Sequence, residues 1–173
     1  MKAYLSIGTN MGDRLANLQS AVDSLKLLPD TVVTDVSNVY ETDPVGFENQ
    51  ADFLNIAVEI ETQLTSEALL GALLGIESAL GRVRLFKNGP RVIDLDLLLF
   101  GDEVKNTQML TLPHPRMLER EFVLKPLCNL KSMQNNNFYT SALLKVQNGG
   151  VRIFDSKIKY SNWSIYELHS NGS

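Results

Sequence analysis

The chain of 173 residues has one cysteine, Cys128. A lone cysteine excludes an internal disulfide framework, and its apolar setting, LKPLCNL, suits a buried thiol in a reducing compartment. Long apolar runs are missing as well: no stretch reaches the roughly 18 consecutive apolar residues of a membrane span. The opening KAYLSIG runs straight into helix-like sequence, without the extended apolar region and cleavage site of a signal peptide. A cytoplasmic protein without a membrane partner is therefore expected, and the acceptor triplet Asn162-Trp163-Ser164 reads as chance. Positive charge is also short. Sixteen Lys and Arg stand against 20 Asp and Glu, for a net charge of −4, which argues against a general nucleic-acid binder. There is no internal repeat, and a monomer is expected.

What is present is a core. Hydrophobic residues make up 44% of the chain, enough for one domain over 1–173 and too short a chain for two ordinary ones. Residues 3–7 (AYLSI) read as a strand, and GTNMGD supplies the residues of a turn and a helix cap. Leu15, Leu18, Val22 and Leu25 then form an apolar stripe on a helix expected to end near Leu28-Pro29. Thr31 to Tyr40 is β-branched and alternates as a strand, followed by a loop, ETDPVGFENQ. In 53–60, Leu54, Ile56, Val58 and Ile60 face the core while Phe53, Asn55, Ala57 and Glu59 point the other way. A second helix, capped by Thr65 or Ser66, carries Leu69, Leu73, Ile76 and Leu80 and stops at Gly81. A further strand, a turn at Gly101-Asp102, the segment LTLPHPRMLEREF and a short helix from Val123 to Leu130 complete the core.

Strand, helix, strand, strand, helix, strand is the order of an α+β, ferredoxin-like βαββαβ fold. It predicts an antiparallel sheet with both helices on one face and the other face free for an active site. Residues 1–130 make that core. The polar segment 131–173 reads as loops with one possible hairpin.

The strand inside GPRVIDLDLLLFGD raises a chemical question. Asp94 and Asp96 project from one side, opposite Ile93, Leu95, Leu97 and Leu99. Two like charges at that spacing call for a positive partner, and hard oxygen ligands suit Mg²⁺ with substrate phosphates. A half-exposed strand with solvated acids is the ordinary alternative. The preceding loop, GRVRLFKNGPR, favours the metal: Arg82, Arg84, Lys87 and Arg91 crowd ten positions of an acidic chain, and arginine forks grip phosphate. Acids and cations together describe a triphosphate site. Phe53 and Asn55 share the non-core face.

These motifs, with IGTNMGDR, YETDPVG, FLNIAVEI and LPHPRMLEREFVLKPL, resemble the 6-hydroxymethyl-7,8-dihydropterin pyrophosphokinases of folate biosynthesis over about residues 1–130. The resemblance implies transfer of the β,γ-pyrophosphoryl group of ATP to the pterin's hydroxymethyl oxygen, giving AMP and the pterin diphosphate. It implies two Mg²⁺ ions held by Asp94 and Asp96. Arg82 and Arg91 would engage the transferring phosphates, and Glu77, Arg84, Lys87, Thr111, His114 and Arg120 would contact ATP. Taken by itself, Glu77 reads as a surface helix residue, and a lone histidine between prolines as a structural one. On the pterin side the resemblance implies Thr42, Asp43 and Val45 in the binding loop, Phe53 and Phe122 stacking on the ring, and Asn55 at its polar edge. The loop from Arg84 to Gly89 is one residue shorter than some family versions. Asn88 stands there for an aromatic, Leu85 for a cation, and Phe53 for the commoner tyrosine.

Two other classes fit parts of the pattern. A Mg²⁺-dependent nucleotidyltransferase also uses paired strand acids, and would release free pyrophosphate. A non-catalytic ferredoxin-like binding module would need a basic, aromatic sheet face, whereas this one presents Asp94 and Asp96, which repel phosphate unless a metal intervenes.

Overall fold

The computed structural model describes residues 1–44, 49–81 and 92–161. In chain order it holds β1 (Lys2–Thr9), α1 (Arg14–Leu25), β2 (Thr31–Val36), β3 (Tyr40–Thr42), β4 (Phe53–Thr62), α2 (Ser66–Ala79), β5 (Asp94–Phe100), β6 (Lys105–Asn106), β7 (Thr111–Leu112), α3 (Glu121–Asn129), α4 (Asn137–Val146) and β8 (Val151–Ile153). The main sheet is antiparallel, in the order β5-β1-β4-β3-β8, with β2 also paired to β4. This is the α+β architecture expected, with the ferredoxin-like core intact. Among the described residues no helix is long and apolar enough to cross a membrane.

Helices α1 and α2 start where their caps dictate. The Asp13 side chain accepts from the Ala16 amide at 3.1 Å and Thr65 Oγ1 from the Ala68 amide at 3.1 Å, each satisfying a donor the helix itself cannot. Helix α1 ends one turn before Pro29, with Lys26 as its C-cap. Ser66, the other candidate cap, instead donates to Glu103 Oε1 at 2.6 Å. Both helices press Leu18, Val22, Leu25, Leu69 and Leu73 onto one sheet face, against Leu5, Ile7, Ile56 and Ile60.

The strand expected over 31–40 is two strands. Ser37 interrupts it: its Oγ accepts the Ala57 amide at 2.9 Å, and the next amide, Asn38, donates to Asn129 Oδ1 at 2.7 Å. A side-chain oxygen replaces a ladder bond and the backbone turns.

The second face is less open than the strand pattern implies. Helix α3 lays Val123, Leu124 and Leu127 over Tyr4, Ala57, Leu98 and Leu99, and α4 packs Tyr139, Ala142, Leu143 and Val146 outside them. Leu99 belongs to this layer and Phe100 to the first core, the reverse of strict alternation. The cause is a β-bulge. Leu5 pairs with Leu97 and Tyr4 with Leu99, which leaves Leu98 as an extra residue that flips every side chain after it. Asp94 and Asp96 precede the bulge and keep their register.

The tail from residue 131 also departs from the loop reading. It forms α4, capped by Asn136, whose Oδ1 accepts from Phe138 N at 3.1 Å, and then β8, which adds to the free edge of β3. Two buried acids on β2 and β4 fasten it. Asp35 accepts from the Lys131 amide at 2.8 Å and the Tyr160 hydroxyl at 3.0 Å, while Glu59 accepts from Ser132 Oγ. Tyr4 shares a hydrogen bond with Ser132 at 2.8 Å, and burial pushes its phenol up to about 12, so it stays protonated.

Leu127 is fully buried at the centre of the α3 layer. Leu127→Ala should therefore cost about 2–5 kcal/mol, read as a lower urea midpoint at unchanged slope. A loss under about 1 kcal/mol would mean that this layer is not a core.

Candidate active site

The second face continues past the α3 layer at one end of β4, β1 and β5. Gly8 pairs with Asn55 on one side and Asp94 on the other, and Ser6 pairs with Ala57 and Asp96. Directly opposite residues share a face, so Asn55, Gly8 and Asp94 form one row and Ala57, Ser6 and Asp96 the next. Both acids are half-buried.

Gly8 is the floor of this row. A Cβ there would stand 2.9 Å from Asn55 Oδ1 and 3.8 Å from the Phe53 ring, so only glycine leaves a flat surface beside both. Asn55 is 3% exposed, and its Nδ2 has no hydrogen-bond partner among the described residues. A buried amide left unsatisfied costs about 1–3 kcal/mol, which native proteins retain where a ligand supplies the partner. Phe53 opens β4, half-buried, opposite the buried Thr42 of β3. Phe122 lies in the first turn of α3. It packs partly on the second core, with the Arg120 guanidinium 5.6 Å from its ring centre.

On the other side of Asp94 lies the segment leading to α3. The His114 amide donates to Leu98 O at 2.9 Å, so the bulge supplies the acceptor that docks this segment on β5. His114 Nδ1 accepts from the Arg116 amide at 3.3 Å, which leaves the proton of a neutral imidazole on Nε2. Burial lowers the His114 pKa, helped by Arg120 and Arg116 and opposed by Asp94. Burial and Arg116 also lower that of Arg120, against the pull of Asp96 and Asp94. The two acids, the histidine and Arg120 thus share one electrostatic environment. Thr111, three residues before His114, is half-buried on β7.

Glu77 is not a surface residue. It is 4% exposed and its carboxylate accepts the Leu95 amide at 2.8 Å, bracing the last strand of the sheet between the two acids. Asp43 follows β3, exposed, and pairs with Arg152 at 3.3 Å. Val45, Arg82, Arg84, Lys87 and Arg91 lie outside the described residues, as do Leu85 and Asn88. Sequence reasoning placed a turn at GTN but missed what its side chains hold. Thr9 Oγ1 donates to Val92 O, while Asn10 Nδ2 donates to Gln50 Oε1 at 2.8 Å and Ala51 O at 3.1 Å. Thr9 and Asn10 thus hold Val92, before β5, and Gln50 and Ala51, before β4, beside the end of β1. The polar residues of GTN were legible as a turn, but their partners lie 40 or more residues away.

Residues 4–132 match the family model of 7,8-dihydro-6-hydroxymethylpterin-pyrophosphokinase (HPPK). The chain belongs to the HPPK family. It is 48% identical over 155 residues to the 2-amino-4-hydroxy-6-hydroxymethyldihydropteridine pyrophosphokinase of Bacillus subtilis, covering 90% of this chain and 91% of that one. It is 41% identical over 159 residues to the folic acid synthesis protein fol1 of Schizosaccharomyces pombe, covering 89% of this chain but 22% of that protein. The fold matches the Plasmodium falciparum HPPK-DHPS structure with pteroate at a TM-score of 0.69 and 14% identity, over 92% of this chain. The chain spans about half of that structure, 49% of its length. Every site residue named above falls inside the HPPK match; β8 and α4 lie beyond its end.

Two outcomes follow from this geometry. Gly8→Ala should leave thermal stability near that of the parent, because the crowded atom is the end of a side chain, yet displace Asn55 and weaken pterin binding about tenfold or more in calorimetry. His114, identified among the two histidines by loss of its NMR signal in His114→Gln, should titrate below the 6.5 of a free imidazole. The unfolded chain then takes up the proton first, so this group's contribution to stability is present above that value and lost as pH falls through the folded one.

Proposed function

We propose that this chain transfers the β,γ-pyrophosphoryl group of ATP to 6-hydroxymethyl-7,8-dihydropterin, giving AMP and the pterin diphosphate, in folate biosynthesis. The observation that carries the reading is the Asn55 amide, buried and unsatisfied one strand away from Gly8 and two from Asp94. A flat heterocycle with a polar edge meets that amide, and a substituent on it reaches across the glycine toward the acids. Phe53 and Phe122 stack on the ring. Thr42, Asp43 and Val45 line its loop side.

Asp94 and Asp96 fit Mg²⁺. They are hard oxygen donors on one face, and no group of three or more potential ligand residues occurs among the described residues. A site with two protein carboxylates, completed by phosphate oxygens and water, suits Mg²⁺ rather than a cation needing an all-protein cage. Two ions held there would supply Lewis-acid neutralisation of the phosphate charge during transfer. The chain's own groups do the rest. Neutral His114 offers its Nε2 proton to a phosphate oxygen, and Arg120 pairs with the nucleotide's charge. Thr111, Arg84 and Lys87 add ATP contacts. Glu77 acts on ATP by keeping β5 straight between its two acids. Arg82 and Arg91 accompany the moving phosphates. The hydroxymethyl oxygen attacks the β-phosphorus in line, the bond from that phosphorus to the α,β-bridging oxygen breaks, and AMP leaves.

The same reading has a monomer at work in the cytoplasm. Burial pushes the Cys128 thiol pKa up, which keeps it protonated and unreactive in a reducing medium.

ATP labelled separately at the β and γ positions tests the reaction: both labels should reach the pterin in step with AMP. Formation of ADP, or of free pyrophosphate as in nucleotidyl transfer, would overturn it. Asp94→Ala and Asp96→Ala should each lower kcat by about a hundredfold or more, with the protein still folded by circular dichroism.

A further inference from the structure

We infer that Arg152, on the C-terminal strand β8, is a positioning residue for the pterin. It holds together the two ends of the connection between β3 and β4, and with them the wall that carries Phe53. This rests on the reading of Thr42, Phe53 and Phe122 as the pterin's surroundings.

Arg152 pairs with Glu41 in the β3–β8 ladder, beyond the end of the family match at residue 132. Its Nη2 donates to Asp52 Oδ2 at 2.7 Å and Glu41 Oε1 at 3.4 Å, and its Nη1 to Asp43 Oδ1 at 3.3 Å. Asp43 follows Thr42 and Asp52 precedes Phe53, so one guanidinium ties the exit of β3 to the entry of β4. Among the described residues, the other cation beside these acids is Arg14, whose Nη1 donates to Glu41 Oε2 at 2.8 Å and to Asp52 O at 2.9 Å. Arg14 in turn lies 5.7 Å from the ring centre of Phe154, two residues after Arg152. Without Arg152, the carboxylates of Glu41, Asp43 and Asp52 lose the guanidinium they share, Arg14 compensates only that of Glu41, and the repulsion among them drives the two ends apart.

The same stretch of tail also reaches the opposite wall. Glu121, next to Phe122, accepts the Asn148 amide at 3.2 Å, and Lys125 Nζ donates to Val151 O at 3.3 Å. Residues 148–152 therefore attach to the immediate neighbours of both stacking rings and fix the gap between them.

An exposed ion-pair network that merely secures the tail would contain the same contacts. Location separates the two roles. In the order β5-β1-β4-β3-β8, Arg152 sits four strand intervals from Asp94, about 19 Å at the spacing of paired strands. It cannot touch groups on the transferring phosphates. With side-chain exposure of 44%, it also adds little to global stability.

Steady-state kinetics of the full chain test this with Arg152→Ala, Arg152→Lys and Asp52→Asn. Arg152→Ala should raise the pterin KM by roughly tenfold at unchanged kcat and unchanged ATP KM, the pattern of lost uniform binding. Asp52→Asn, which removes an acid partner, should show the same split. Arg152→Lys, which keeps the charge but not the fork, should fall between. An unchanged pterin KM, or KM values for both substrates rising together with a fall in Tm, would overturn the inference in favour of a structural role. Phe53→Ala is the control. If it raises the pterin KM and Arg152→Ala does not, the inference alone fails; if neither does, the pterin site itself has been misplaced.

Discussion

A single absent side chain organises the site. Gly8 lies between Asn55 and Asp94 in the sheet register, and because it carries no Cβ, the surface from the amide to the carboxylate is continuous and flat. Strand spacing sets the separation of the groups at either end, so the sheet itself measures the distance between the Asn55 amide and the Asp94 carboxylate. Rigid strands hold such distances better than loops do, and that rigidity lets the remaining chemistry be delegated to side chains from less regular segments.

The rest of the face is closed by means that also serve the site. The bulge at Leu98 turns the end of β5 into the second core, and its freed carbonyl receives the His114 amide. Helix α3 then covers Tyr4 and Ala57 with its middle while its first turn delivers Phe122. Packing and placement are one event here. The apolar residues that bury the sheet determine where the Phe122 ring stands.

Much of this was legible. Period-two alternation is a property of the backbone, so Asp94 and Asp96 could be put on one face, and Phe53 with Asn55 on the same side, without coordinates. The fold class followed from the order of periodicities. Leu99 was misplaced because a bulge leaves no mark on a hydrophobic run: Leu98, Leu99 and Phe100 read equally well in either register. Glu77 was misjudged because an acid on a helix is usually solvated, and only the position of the Leu95 amide on the sheet's last strand explains its burial. Helix α4 was missed although Tyr139, Ala142, Leu143 and Val146 have helical spacing, because the asparagine run that caps it was taken for a loop. The ion pairs of Arg152 required a strand pairing that joins residues more than a hundred positions apart. The loop cations were legible only as charges.

Strand β8 has a second consequence. It is three residues long, with a charged residue at its centre, and it occupies the sheet boundary that β3 would otherwise present. An uncovered boundary offers a row of unsatisfied peptide groups to any passing chain, and short, charged border strands deter such stacking. The segment that trims the sheet is therefore also a guard against self-association in concentrated solution, and its cost to the protein is only a few extra turns of polypeptide.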